Sequence, residues 1–369
     1  MKLAKEQSDE FDEQGFLLIK GVFDPMEDLA PCRQEFSDIF DSYAHLLMNK
    51  WAPDLTEGFA DRPFIERFVI LLGLTEGDLF VHFEPQLHFR PDRLCKLSYL
   101  PDVFLPELFC LSKNTKLLDV LENFFGPEIT ASSNTHINLK PAQQSLELGS
   151  DISCKYRKGK FSNQYSALNF TKTRWHTDSI TRNADSRTNR MIVAWTPLTD
   201  VFKESSCLLV VPGSHKDMNH QFKDDYPNAL PIECSLGDLV VFDANLVHAS
   251  TVNTTDSDYR LTVNFRYVRR GTMTGHYGTP DYVVRSKSAP DQVLSDPHLY
   301  YQYLNAAVDF FHKHPTTRIR SGRPEQAKKI SKAWQEKIRC YDDWLNLKPD
   351  RLSLFKKIRQ EAKSLFDRA

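Results

Sequence analysis

Short apolar runs separated by turn residues dominate the middle of this 369-residue chain. Runs at residues 191–197, 207–211 and 239–242 are each bounded by proline, glycine or aspartate, which is typical of short β-strands. No helical periodicity lies between these runs. The pattern therefore predicts an antiparallel sandwich or barrel for this part of the chain.

Two further segments, residues 134–140 and 260–266, alternate polar and apolar side chains. On a strand, alternation puts the polar members on one face, and here they are Asn134, His136, Asn138 and Lys140 in the first segment and Arg260, Thr262, Asn264 and Arg266 in the second. Such faces look either at water, on edge strands, or at a polar site inside a barrel. We favour the inward orientation for both strands.

Helical signals lie on both sides of the strand-rich region. Asp24-Pro25 is a helix start, residues 117–125 form a short helix ended by Gly126, and Asp296-Pro297 begins a helix that runs to about residue 314. Two more helices are expected, one from Pro324 to about residue 344 and one from Asp350 to about residue 366. We predict one domain over residues 1–275 and a C-terminal helical extension over residues 290–369.

Composition sets outer limits on partners and location. The net charge of −2 gives no overall attraction to nucleic acid or membrane. In residues 316–369, Lys and Arg exceed Asp and Glu by eight, which indicates either a binding surface or solvated helix faces. Seven scattered cysteines form neither a disulfide framework nor a zinc pattern. With no apolar signal core or membrane-length apolar run, we expect a cytoplasmic protein.

The strongest chemical signal is His176-Thr177-Asp178, followed by His248 and Arg260. Two imidazoles and one carboxylate can bind one face of an octahedral ion, which leaves open positions as in non-haem Fe(II) oxygenases. Arg260 suits a second task, a bidentate ion pair with the far carboxylate of a 2-oxo acid. Taken alone, the tripeptide is explained equally well by a hydrogen-bonded pair at the surface.

Several stretches in a fixed order support the oxygenase interpretation. Over residues 11–271 the chain resembles the phytanoyl-CoA dioxygenase-like (PhyH) family of Fe(II)/2-oxoglutarate oxygenases. The segments that carry this resemblance are residues 14–23, 138–141, 175–178, 194–200, 211–215, Gly237-Asp238, His248 and 260–262.

The resemblance implies a mainly β, α+β chain: a double-stranded β-helix core, like a jelly roll or cupin, braced by N-terminal helices. It implies Fe(II) on His176, Asp178 and His248, and 2-oxoglutarate on Arg260, with O2 as the oxidant. We expect Thr262, Lys140, Trp195 and Asn138 to assist in holding 2-oxoglutarate. Arg266 is the alternative carboxylate partner, and Trp195 is alternatively plain core.

The implied reaction is hydroxylation of an aliphatic C–H bond, with release of succinate and CO2. Arg182, Arg187 and Arg190 follow the ligand motif and favour a small anionic substrate, although a solvated arginine-rich loop explains them equally well. Further candidate substrate contacts are His136, Asn264 and Arg266. The alternatives are an oxygenase acting on protein or nucleic acid, or a retired barrel that only binds. We expect a small-molecule partner, with no membrane and no clear nucleic-acid partner; the oligomeric state stays open.

Overall fold

A computed structural model describes residues 1–83, 97, 100, 103–157, 172–182, 188–218, 220–275 and 281–313. Helices account for much of the N-terminal part and for the end of the described chain. Their bounds are α1 Lys5–Gln14, α2 Ala30–Trp51, α3 Phe64–Leu74, α4 Asp78–Phe83, α5 Pro106–Leu111, α6 Thr115–Phe125, α7 Gln143–Ile152 and α8 Pro297–Lys313. Among the described residues, no helix is both long enough and apolar enough to cross a membrane.

The strands form two antiparallel sheets. Their bounds are β1 Phe16–Ile19, β2 Ile129–Ser132, β3 His136–Pro141, β4 Thr173–His176, β5 Ile192–Pro197, β6 Leu208–Val210, β7 Leu230–Ile232, β8 Leu239–Asp243, β9 His248–Ser250, β10 Tyr259–Arg269 and β11 Asp281–Arg285. The larger sheet has the order β1-β8-β5-β10-β2-β11, and β3 also pairs with β10; the smaller sheet has the order β4-β9-β6-β7.

The larger sheet separates two apolar clusters, because successive side chains of a strand point to opposite faces. On β5, Ile192 and Ala194 join the cluster that packs against the helices. Val193 and Trp195 join a second cluster, which includes Leu208 and Val210 of the smaller sheet. The two sheets therefore face each other across a shared interior.

The inward orientation of the two alternating segments is confirmed. Leu261, Val263 and Phe265 of β10 pack against the helix-side cluster. The opposite face of β10, which carries Arg260, Thr262, Asn264 and Arg266, is buried rather than open to water. The β3 partners of these residues are in direct register, with Lys140 opposite Arg260, Asn138 opposite Thr262 and His136 opposite Asn264. Polar residues of two strands therefore line one interior surface.

Several predicted elements are confirmed, and others were missed. The Asp24 carboxylate accepts hydrogen bonds from the backbone N–H groups of Met26 and Glu27, and the helices predicted at residues 117–125 and from Pro297 correspond to α6 and α8. Sequence patterns did not reveal α1, α7, β2, β7 or β11, and through β11 the larger sheet extends past residue 275. The two helices predicted beyond residue 314 lie outside the described residues, and the two-part division of the chain stays a prediction.

Candidate metal centre

Two strands and a turn bring the three predicted metal ligands together. His176 ends β4 and lies directly opposite His248, the first residue of β9. The two imidazole centroids are 4.1 Å apart. Asp178 follows in the helical turn Asp178–Thr181, and one ligand atom from each residue lies within 4.8 Å of the others. A single ion between them can contact all three side chains.

Hydrogen bonds fix the ring orientation of both histidines. Nδ1 of His176 lies 2.8 Å from the Arg174 carbonyl oxygen, and Nδ1 of His248 lies 3.0 Å from the Leu246 carbonyl oxygen. A carbonyl only accepts, so each Nδ1 carries the proton and each Nε2 presents its lone pair. Metal-binding histidines commonly show this arrangement.

Desolvation lowers the pKa of both imidazoles, and for His176 the neighbouring His248 ring lowers the pKa further. Both rings are therefore neutral at physiological pH, the state required of a ligand. The His176 side chain is 31% exposed, whereas Asp178 is 6% exposed. The centre is thus accessible from the His176 side.

A bulge in β4 aims the first histidine at this centre. Thr173 pairs with Ser250 and His176 pairs with His248, so three steps along β4 match two steps along β9. In a regular strand, residues 173 and 176 would point to opposite faces. Here the Thr173 hydroxyl accepts a hydrogen bond from the buried Lys140 ammonium while His176 joins the ligand cluster. Bulges often redirect side chains in this way next to active sites.

Arg266 lies against the third ligand. Its Nε and Nη2 are both 3.0 Å from Oδ2 of Asp178, and both side chains are 6% exposed. Burial opposes ionisation of Asp178, but Arg266 and the two imidazoles outweigh it and hold the pKa of this carboxyl well below its usual range. Asp178 is therefore ionised and fixed in orientation. Neither proposed role of Arg266, as the partner of a co-substrate carboxylate or as a substrate contact, is supported by this geometry.

Nearer the start of β10, a group that we call the cation pocket consists of two buried cations, Lys140 of β3 and Arg260 of β10, and the hydroxyl of Thr262. All three side chains are at most 2% exposed. Arg260 Nη1 donates to the Ser206 carbonyl, and the guanidinium lies 5.8 Å from the Trp195 ring centroid. Within the described part of the chain, no carboxylate makes an ion pair with either cation.

The cation pocket leaves charge and hydrogen-bonding capacity unused. Burial and the nearby Arg260 lower the pKa of Lys140, and burial lowers the pKa of Arg260 to about 10. Nε of Arg260 and the hydroxyl of Thr262 have no hydrogen-bond partner among the described groups. Buried polar groups are normally paired, so this arrangement indicates a pocket shaped for an anion.

Amide and imidazole groups lie between the metal centre and the cation pocket. Asn138 Nδ2 donates to Asn264 Oδ1 at 3.5 Å, and His136 lies opposite Asn264 in the β3–β10 register. Asn264 is buried, whereas Asn138 and His136 are half-buried. Their predicted contacts with co-substrate or substrate stay predictions.

The arginines after Asp178 have other partners. Arg182 is buried, and its guanidinium donates to the carbonyl oxygens of Thr274 and Asn189. Arg190 pairs with Asp12 of α1 at 2.8 Å and lies over the Phe11 ring. Arg187 is outside the described residues. The expectation of an anionic substrate therefore gains no support from Arg182 or Arg190.

The role of Arg266 was the main feature missed at the sequence level. Its spacing of six from Arg260 already placed both arginines on one face of β10. Nothing in the pattern, however, shows that Asp178, 88 residues earlier, lies beneath one of them and not the other.

Sequence comparison gives a family match and two short matches to curated proteins. Residues 111–261 match the phytanoyl-CoA dioxygenase (PhyH) family. Uncharacterized proteins of Mycobacterium tuberculosis and Mycobacterium bovis are each 39% identical over 71 residues, which is 18% of this chain. The chain spans about a quarter, 24%, of the length of these two relatives.

Structural comparison finds non-haem enzymes. A nickel complex of the non-haem monooxygenase ThoJ is 15% identical, with a TM-score of 0.47 and coverage of 85% of this chain and 98% of that one. HygX from Streptomyces hygroscopicus, with nickel and 2-oxoglutarate bound, is 15% identical, with a TM-score of 0.39 and coverage of 73% and 88%. The segment that matches the phytanoyl-CoA dioxygenase (PhyH) family, residues 111–261, includes all three candidate ligands: His176 and Asp178 in Trp175-His176-Thr177-Asp178, and His248.

Proposed function

We propose that this protein is an Fe(II)/2-oxoglutarate-dependent dioxygenase that hydroxylates an aliphatic C–H bond of a small molecule. The observation that carries the proposal is the coexistence, in one interior, of the His176–Asp178–His248 cluster and a cation pocket that meets no carboxylate in the described part of the chain. A facial set of three ligands leaves positions open for a chelating co-substrate and O2. On this basis we also propose that the two facing sheets form a double-stranded β-helix.

The side chains present fit 2-oxoglutarate. Two buried cations without a carboxylate would be costly to maintain unless an anion joins them. A carboxylate on Arg260 would meet Nε, and Thr262 would donate its hydroxyl; neither group has another hydrogen-bond partner among the residues that the structure describes. Lys140, held in place by Thr173, would supply the second charge.

Each residue of the site then has a defined task. When bound, iron and 2-oxoglutarate supply the oxidising chemistry, with O2 consumed and succinate and CO2 released. His176 and His248 present Nε2, because their Nδ1 protons are committed to carbonyl oxygens. Arg266 holds Asp178 ionised and oriented. Asn138 and Asn264 offer hydrogen bonds between the two ends of the site.

One experiment tests the proposed function directly. Anaerobic addition of Fe(II) and 2-oxoglutarate should produce a visible metal-to-ligand charge-transfer band, and admission of O2 should then yield succinate. Iron that binds without either signal would contradict the proposal. If the band forms but no succinate is produced, with or without candidate substrates, the result would instead support a protein that binds its ligands but has lost catalysis.

Replacing Lys140 with methionine should separate stability from co-substrate binding. Lys140 is 1% exposed and has no carboxylate partner in the described structure. An apolar side chain of similar length removes a desolvated charge, so the free energy of unfolding without ligands should stay equal or rise by up to about 4 kcal/mol. The KM for 2-oxoglutarate should nevertheless increase about tenfold, because one favourable charge is lost.

Denaturant unfolding and steady-state succinate formation measure the two effects. Burial lowers the pKa of Lys140, so its destabilising effect is greatest at low pH and is relieved as pH rises toward the ordinary lysine pKa of about 10.4. The difference in free energy of unfolding between Lys140→Met and wild type should therefore shrink as pH rises. A less stable variant with an unchanged KM would show that Lys140 is merely structural.

A further inference from the structure

A long irregular loop joins β6 to β7 at the metal end of the smaller sheet. We call residues 217–229 the mouth loop; residue 219 within it is outside the described residues. The described part of the mouth loop has neither helix nor strand. Structureless loops of this length are uncommon in compact domains and are frequently functional.

The mouth loop is fastened beside the metal centre. His220 Nε2 lies 3.0 Å from the carbonyl oxygen of Asn245, in the turn between β8 and β9. In the same turn, the Ala244 carbonyl accepts a hydrogen bond from the backbone N–H of Ser179, which directly follows Asp178. The turn leads into His248. The mouth loop, the residue after Asp178 and the segment that leads into His248 therefore meet at one turn.

Aromatic side chains connect the mouth loop to the ligand strand. Tyr226 and Trp175, the residue immediately before His176, have ring centroids 4.9 Å apart and a tilt of 59°. The Tyr226 hydroxyl accepts a hydrogen bond from the backbone N–H of Lys223, which fixes the position of the ring. Both aromatic residues are half-buried. Part of each ring is therefore available at the surface next to a partly exposed ligand.

Exposed apolar side chains lie in the same stretch of chain as Tyr226. Of the eight large hydrophobic residues exposed in the described structure, Met218 and Phe222 lie in the mouth loop and Leu230 directly follows it. They are 47%, 38% and 46% exposed. Concentration of such residues in one loop indicates a binding surface, whereas isolated examples are ordinary.

Charge along the mouth loop does not select for an anion. Lys216 and Lys223 are offset by Asp217, Asp224 and Asp225 along the same stretch. The nearby guanidinium of Arg182 donates to two backbone carbonyls, and Arg190 pairs with Asp12. The recognition chemistry that the mouth loop offers is therefore aromatic and apolar.

We propose that Trp175 and Tyr226, with Phe222, form a recognition surface for a planar, uncharged ring system in the substrate. The inference rests on the proposed function, since it identifies the class of molecule presented to the metal centre. Aromatic rings prefer offset-stacked or edge-to-face contacts with other aromatic rings, and the tilted pair at the mouth offers both. Stacking here would bring a C–H bond attached to the ring system toward His176.

The test compares two probes with the same carbon skeleton and hydroxyl group. Calorimetric titration of the metal-free, full-length protein with 2-naphthol should give binding about fivefold tighter than with decahydro-2-naphthol, which is neither flat nor aromatic. The anion 2-naphthoate should bind no better than 2-naphthol. Equal affinities for the flat and saturated probes, or no measurable binding of 2-naphthol, would overturn the proposal.

Substitutions test whether the binding of 2-naphthol depends on the rings of Tyr226 and Phe222. Tyr226→Ala and Phe222→Ala should each weaken 2-naphthol binding severalfold, whereas Tyr226→Phe should retain it because the ring remains. Met26→Ala, which removes an apolar side chain that is 71% exposed at a distant helix start, should have no effect. Equal losses in Tyr226→Ala, Tyr226→Phe and Met26→Ala would refute the assignment.

Failure of this inference can be distinguished from failure of the proposed function. The titrations need neither iron nor 2-oxoglutarate, whereas the charge-transfer band and succinate formation need no ring probe. A protein that makes succinate but ignores planar rings would reject only the recognition surface. A protein that binds 2-naphthol without forming the band would reject only the oxygenase.

Discussion

Replacing Arg266 with methionine is expected to lower the free energy of unfolding of the metal-free protein by about 3–5 kcal/mol. Asp178 and Arg266 are each 6% exposed and contact each other at 3.0 Å. Removal of the guanidinium leaves a buried carboxylate whose remaining neighbours in the cluster are two neutral imidazoles. Denaturant unfolding at neutral pH measures the loss.

The sign of the pH dependence follows from the same pair. Without Arg266, the pKa of Asp178 rises, because burial then dominates. The loss of stability in Arg266→Met is fully present when the Asp178 carboxyl is ionised and falls as acid protonates it. The free energies of unfolding of the variant and of wild type should therefore converge as pH is lowered. Fe(II) should partly restore stability in the variant, since a bound cation replaces the missing positive charge.

Two comparisons isolate the cause of the Arg266 effect. Arg190→Met removes the same side chain from an exposed pair with Asp12, whose side chains are 44% and 69% exposed, and should cost at most about 1 kcal/mol. The double variant Arg266→Met/Asp178→Asn should recover part of the loss, because the buried negative charge is gone. If the double variant is as unstable as Arg266→Met, lost packing rather than lost pairing explains the effect.

Replacing Arg260 with methionine should raise the KM for 2-oxoglutarate at least about 30-fold, which corresponds to roughly 2 kcal/mol or more for a buried charged hydrogen bond. The Fe(II) affinity should stay close to that of wild type, because the contacts of Arg260 are with Ser206 and Trp195 and not with the ligand cluster. Succinate formation against 2-oxoglutarate concentration, together with anaerobic iron titration, measures both quantities.

The matched variant Arg260→Lys keeps the charge but loses the planar fork, so its KM should lie between wild type and Arg260→Met. Arg266→Met is the reciprocal control, because we expect this substitution to change the iron affinity. If Arg260→Met leaves the KM unchanged while Arg266→Met raises it without affecting iron binding, the assignment of the two arginines is reversed.

In the candidate site, the pattern of residue types along the chain was sufficient to predict which strand side chains face inward and which residues are the candidate ligands. Alternation along β10 and β3 separated polar from apolar side chains correctly, because a strand has a period of two whatever its surroundings. The same alternation placed Lys140 with Arg260 and Asn138 with Thr262 on interior faces before their register was known. The ligand motif predicted His176, Asp178 and His248, since few combinations of side chains can leave half of an iron ion open.

Other features depend on contacts that alternation cannot specify. Regular alternation would have separated Thr173 from His176, and only the pairing of β4 with β9 introduces the bulge that lets both reach the interior. Likewise, nothing in the spacing of Arg182 and Arg190 shows that one bonds to backbone carbonyls and the other pairs with α1.

By itself, the amino-acid sequence determined the strand periodicity, the ligand types and the set of polar residues that face inward. Only the tertiary structure decided that Arg266 holds Asp178, that Arg260 and Lys140 have no carboxylate partner among the described residues, and that Tyr226 contacts Trp175. The physical reason is that side-chain direction follows from local backbone geometry, whereas the partner met in that direction depends on twist, register and loop path across distant parts of the chain.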